Sequence, residues 1–103
     1  MSSEGIHIPQ EKLTRRTALL HYALASLKEE LEAVDWYRQR ADDTEDESLK
    51  AILLHNAKEE TEHAAMILEW LRRNDPAFAK ELKEYLFTDG PITEVEEKAM
   101  GRK

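Results

Sequence analysis

The chain has 103 residues, no cysteine, only three glycines and a formal net charge of −7, with 36 % of its residues charged. That length admits one domain, burying only about 60–68 % of its unfolded surface. The acidic balance argues against nucleic acid or an anionic membrane as partner, and the lack of cysteine excludes disulfides, thiolate metal sites and a cysteine nucleophile.

Residues 1–9 (MSSEGIHIP) carry Gly and Pro without periodicity and read as a flexible N-terminal arm. Nothing there resembles a secretory signal, and no apolar run approaches the roughly 20 residues that span a bilayer, so the cytoplasm is the expected compartment. Thr14, or the residues just before it, opens the first helix. Leu13, Thr17, Leu20, Leu24, Leu27, Leu31 and Val34 then recur at alternating gaps of four and three, a heptad-like seam reaching about Ala41. Asp42-Asp43-Thr44 breaks it, and Thr44 with Glu47 fits a capping box for the next helix.

The second helix is predicted from about Asp46 to Arg73. Its seam is Leu49, Leu53, Asn56, Glu60, His63, Ile67 and Trp70, and Arg72 and Arg73 suit its C-terminal end. Asn74-Asp75-Pro76 ends it, with Pro76 in the first turn of a shorter helix reaching about Leu86. Asp89-Gly90-Pro91 is a turn, and the polar remainder, ITEVEEKAMGRK, reads as frayed. The expected organisation is an arm at 1–9, a helical hairpin with a short third helix at 10–87, and a C-terminal extension at 88–103.

Two helices of about 28 residues, each roughly 42 Å long, must lie antiparallel when a short loop joins them. One such hairpin leaves a stripe of each helix wet, and a second copy is the simplest cover. The expected fold is all-α: an antiparallel two-helix hairpin plus a short C-terminal helix, dimerising into a four-helix bundle.

The second seam contains a fault. Asn56, Glu60 and His63 stand where the heptad assigns interior positions. A buried carboxylate without a partner is costly, so such a group is paired, protonated or metal-bound. Glu60 and His63 share one face one turn apart, the Glu-x-x-His spacing that offers a carboxylate and an imidazole to one metal pair. By itself this spacing is common in Glu-rich helices, where it usually marks a solvated face. The first helix supplies a complement: Leu27, Glu30, Val34 and Tyr37 form a stripe that seats Glu30 among apolar neighbours. Two chains together would contribute two Glu30, two Glu60 and two His63, whose four carboxylates carry about −4 and neutralise two divalent ions.

Carboxylates with imidazole and no sulfur suit iron, manganese or zinc. Iron is preferred because two carboxylate-bridged metals can each change valence, giving oxidation of Fe(II) to Fe(III) by dioxygen or peroxide. Zinc competes, and calcium is a further possible substitute. Tyr37 could approach the site as a weak ligand or hydrogen-bond donor, against a plain packing role. Glu29 and Glu32, with Asp35 nearby, are either a solvated face or a transient site where iron first binds. Trp36 and Trp70 read as packing residues. His55 with Glu59 could take adventitious metal, and His7 and His21 look incidental.

Three stretches resemble one known family. They are Glu29-Glu30-Leu31-Glu32-Ala33-Val34-Asp35-Trp36-Tyr37, the segment from His55-Asn56 through Glu59-Glu60-Thr61-Glu62-His63-Ala64-Ala65-Met66 to Leu68-Glu69-Trp70-Leu71-Arg72-Arg73-Asn74-Asp75, and Tyr85-Leu86-Phe87-Thr88-Asp89-Gly90-Pro91-Ile92-Thr93. They are similar to the encapsulated ferritins over roughly residues 20–95. The resemblance implies a two-helix protomer with a short C-terminal helix, a ring-shaped homodecamer of five dimers, and ferroxidase centres between chains holding two iron ions per dimer. It implies iron storage as cargo of an encapsulin shell protein, inside a nanocompartment in the cytoplasm. Carried over, the ferroxidase ligands are Glu30, Glu60 and His63 of both chains with Tyr37 close by, Glu29 and Glu32 match the iron-uptake carboxylates, and Trp36 matches a residue beside them. Family members usually continue into a shell-targeting tail, and no convincing one follows Ile92. The residues taken alone leave two other readings: a non-catalytic helical adaptor, and a dimer binding structural zinc.

Overall fold

The computed structural model describes residues 5–101. It is helical throughout: a turn of 3-10 helix at Gln10–Lys12, then α1 (Arg15–Asp43), α2 (Glu47–Asn74), α3 (Pro76–Tyr85) and α4 (Ile92–Gly101). Positions 1–4 of the expected arm and 102–103 of the expected C-terminal extension lie outside the described residues. The chain divides into two compact units, Met1–Trp70 and Leu71–Lys103.

In the first unit, Thr14 opens α1 as expected, its hydroxyl accepting the Thr17 backbone N–H at 3.1 Å. The cap of α2 differs from the sequence reading. Thr44 is occupied in ending α1, where its N–H donates to the Arg40 carbonyl at 3.1 Å. Its hydroxyl accepts the Asp46 N–H at 3.2 Å, and the Asp46 carboxylate takes the Leu49 N–H at 2.8 Å. Asp46 is therefore the cap, which also sets a negative charge against the positive end of the helix dipole.

The residues between α1 and α2 are few enough that the helices run antiparallel, with Glu30 facing His63. The inward row keeps only part of the expected leucine seam and follows the expected stripe of Leu27, Glu30, Val34 and Tyr37. On α1, Leu20, Ala23, Leu27, Glu30, Val34 and Tyr37 are half-buried and Ala41 is buried, whereas Leu24 and Leu31 are exposed. On α2, Leu53, Ala57 and Ala64 are buried, while Asn56 and His63 lie half-exposed at the flank. Alanines in both rows let the helix axes approach closely. Several large apolar side chains stay outside these rows: Leu31 and Ile52 are each 55 % exposed and Met66 is 59 % exposed. A hairpin that leaves its large apolar groups uncovered presents surfaces suited to another chain.

In the second unit, Asp75 caps α3 by accepting the Ala77 N–H at 3.0 Å, directly before Pro76. α3 contacts α4, so residues the sequence reading left frayed are helical. The Pro91 carbonyl accepts the Glu94 and Val95 N–H groups. Glu94 in the first turn and Lys98 in the last complement the dipole, and Glu, Ala, Lys and Met are good helix formers. Gly90, with φ of 84°, makes the turn before α4 without a Cβ penalty.

Candidate metal centre

Glu30 reaches the hairpin interior because the inward row of α1 passes through its position, between Leu27 and Val34. On α2, Glu60 and His63 stand one turn apart and project toward it. His63 Nδ1 lies 3.7 Å from Glu30 Oε2 and 3.6 Å from Glu60 Oε2. One ligand atom from each of the three falls within 4.8 Å of the others. The Glu30 and Glu60 side chains are 25 % and 24 % exposed and the imidazole 42 %.

These separations are too long for hydrogen bonds. They are close to those around a cation, since bonds of about 2.1 Å put neighbouring ligand atoms roughly 3.0–3.4 Å apart. The Glu30 Oε2 atom is shut off from solvent and has no hydrogen-bond partner. A buried acceptor is normally satisfied, so this oxygen is available as a ligand to a cation. Two hard carboxylate oxygens and a borderline imidazole nitrogen suit a divalent first-row metal, and the donor set fits iron, zinc or manganese.

Beside the cluster, α1 and α2 line an open cleft of about 600 Å³ whose lining includes Tyr22, Ser26, Glu30, His63, Met66 and Trp70. The sequence reading did not single out Tyr22, Ser26 or Met66. Their signal was present in the spacing, since Ser26 precedes Glu30 by four and Met66 follows His63 by three.

The other candidates do not converge on this cluster within one chain. Tyr37 shares the inward row but stands two turns, about 10 Å, along α1 from Glu30, with the Arg40 guanidinium 5.8 Å from its ring centre. Glu29 and Trp36 are exposed, and Glu32 is 4.0 Å from Lys28 Nζ. Those three share a stripe of α1 at spacings of three and four, off the inward row. His55 and Glu59 sit 3.6 Å apart on the exposed face of α2. The sequence reading missed that Glu59 and Glu62 also come within ligand range of His63. Among the described residues no helix is long and apolar enough to cross a membrane.

Comparison with known proteins agrees with this geometry. The EncFtn-like family matches residues 5–89. The chain is 58 % identical over 95 residues to the encapsulated ferritin-like protein of Rhodospirillum rubrum, a match covering 92 % of this chain and 68 % of that one. It is 40 % identical over 68 residues to an encapsulin nanocompartment cargo protein of Myxococcus xanthus, covering 66 % of this chain and 52 % of that protein. A crystal structure of a Nitrosomonas europaea protein superposes with a TM-score of 0.82 at 59 % identity, covering 85 % of this chain and 97 % of the other. A helical hairpin carrying two carboxylates and an imidazole at its centre, with a family match over most of its length, places the chain in the EncFtn-like family of encapsulated ferritins.

Proposed function

We propose that the protein is a ferroxidase: two copies meet across the cleft and oxidise Fe(II) to Fe(III) at a di-iron centre shared between them. The observation that carries this reading is the solvent-shielded Oε2 of Glu30, which has no hydrogen bond and stands beside Glu60 and His63. One chain supplies two carboxylates and one imidazole, which leaves a divalent ion under-coordinated. A twofold-related pair supplies four carboxylates and two imidazoles, enough charge for two divalent ions. The exposed apolar groups flanking the cleft, Tyr22 and Met66 among them, are what a second copy would cover.

Iron is the substrate here. Glu30 and Glu60 bind it and compensate its charge, His63 supplies the nitrogen ligand, and dioxygen takes the electrons. Tyr37, two turns away on its own chain, comes near a centre only if the partner's symmetry carries it there. Glu29, Glu32 and Trp36 form the outer stripe at which iron is first captured. Zinc, manganese or calcium can occupy the same oxygens without turnover. The family match and the names of its relatives support carriage inside an encapsulin nanocompartment; a homodecamer of five dimers, residence in the cytoplasm and storage of the ferric product in that compartment complete the proposal.

The test is anaerobic loading with Fe(II) followed by oxygen admission. About two irons per dimer and iron-dependent oxygen uptake are expected, both lost in Glu60→Ala and His63→Ala. Tight zinc binding with no oxygen uptake from the iron-loaded protein would replace this reading by the structural-zinc one.

A further inference from the structure

Two-electron reduction of dioxygen by two Fe(II) yields peroxide, and a thioether lines the cleft beside the cluster. Met66 lines the same cleft as Glu30 and His63. It stands one turn beyond His63 on α2, a spacing that puts Cβ atoms about 5–6 Å apart. The cleft also contains Tyr22 and Trp70, but peroxide acting as a two-electron oxidant attacks a thioether in preference to an aromatic ring. The chain carries its own control. In the single chain Met66 is 59 % exposed and Met100, outside the cleft, is 63 % exposed. A bulk oxidant therefore meets the two sulfurs of the iron-free, unassembled protein on nearly equal terms, and a second copy seated on the cleft would only shield Met66 from it.

We propose that Met66 is a modification site of the iron chemistry, its thioether consuming hydrogen peroxide released at the Glu30–Glu60–His63 cluster. The proposal rests on the ferroxidase reading. Two Fe(II) and O2 with two protons give two Fe(III) and H2O2. The Met66 sulfur then takes one oxygen atom as the O–O bond breaks, giving the sulfoxide and water, with sulfur oxidised by two electrons. The sulfoxide replaces an apolar group with a polar oxygen at the rim of the cleft. Met66 thereby intercepts peroxide before it reaches Trp70 or Tyr22.

The experiment loads the full chain with Fe(II), admits oxygen in the presence and absence of catalase, and maps oxidised residues by peptide mass spectrometry while oxygen uptake is recorded. The expected result is several-fold more sulfoxide at Met66 than at Met100, persisting with catalase, whereas hydrogen peroxide added without iron gives no preference for Met66. Equal oxidation of the two methionines, suppression of the Met66 product by catalase, or hydroxylation of Trp70 with Met66 intact would overturn the proposal. Absence of iron-dependent oxygen uptake instead overturns the ferroxidase reading, so the two failures are told apart in one run.

Discussion

His63 Nδ1 and Glu30 Oε2 approach to 3.7 Å across the two long helices, and the glutamate oxygen finds no hydrogen bond there. A carboxylate held in this way is a cost to the metal-free chain that a cation removes.

Glu30→Met should therefore raise the stability of the metal-free protein while abolishing iron-dependent oxygen uptake. A gain of about 1 kcal/mol is expected from replacing an unsatisfied buried oxygen with an apolar group of similar size. Urea unfolding of the metal-free protein reads it. A loss of stability in Glu30→Met would mean that the carboxylate is satisfied in solution.

Iron should couple to assembly if the centre lies between copies. A ligand that binds only the assembled state stabilises it by about 2.7 kcal/mol at one hundred times its dissociation constant. Native mass spectra should shift toward larger oligomers on adding Fe(II), and the shift should vanish in His63→Ala. Identical distributions with and without metal would remove this coupling.

The cap of α2 makes a local test. Because the Asp46 carboxylate takes the Leu49 N–H at 2.8 Å, Asp46→Ala should cost about 1 kcal/mol, and Asp46→Asn much less. Thr44→Val, which removes only a hydroxyl bonded to the Asp46 N–H, should cost less than Asp46→Ala. The reverse order in thermal unfolding would restore Thr44 as the cap.

In the second unit, partial shielding from solvent holds the Tyr85 phenol above its ordinary pKa of 10.0, with the carboxylates of Glu96, Glu81 and Glu84 adding to the shift. A raised folded pKa means that the folded form keeps its proton when the unfolded chain has already lost it. Stability from this group is complete below pH 10 and falls as pH rises through the folded value. Ultraviolet titration should show phenolate appearing above pH 10 at this residue, and Glu96→Gln should lower that midpoint. An unchanged midpoint in the variant would show that the Glu96 carboxylate does not contribute to the shift.

Much of the helical layout was legible in the sequence, and the misses share a cause. Four-and-three spacing located α1 and α2, and Pro76 marked the start of α3. The stripe of Leu27, Glu30, Val34 and Tyr37 on α1 was legible, but the longer seam also took in Leu24 and Leu31, which are exposed yet repeat as regularly as Leu27 and Val34. Regular spacing says that a stripe exists, but not which of two adjacent stripes meets the neighbouring helix. Thr44 looked like the cap of α2 because its role in ending α1 depends on where that helix stops. The last segment looked frayed because its half-buried positions, Val95 and Ala99, are few and widely spaced.

What the sequence by itself determined is the set of donors and their spacing along each helix: Glu60 and His63 one turn apart, and Glu30 within an apolar stripe. These follow from helical periodicity, a property of neighbouring residues in one segment. Only the tertiary structure decided that Glu30 of α1 comes level with His63 of α2, and that one of its oxygens is left shielded and without a hydrogen bond. That convergence depends on the register between two helices, which the length of the connection and the packing of Ala41, Ala57 and Ala64 set together, and which no periodicity within either helix encodes.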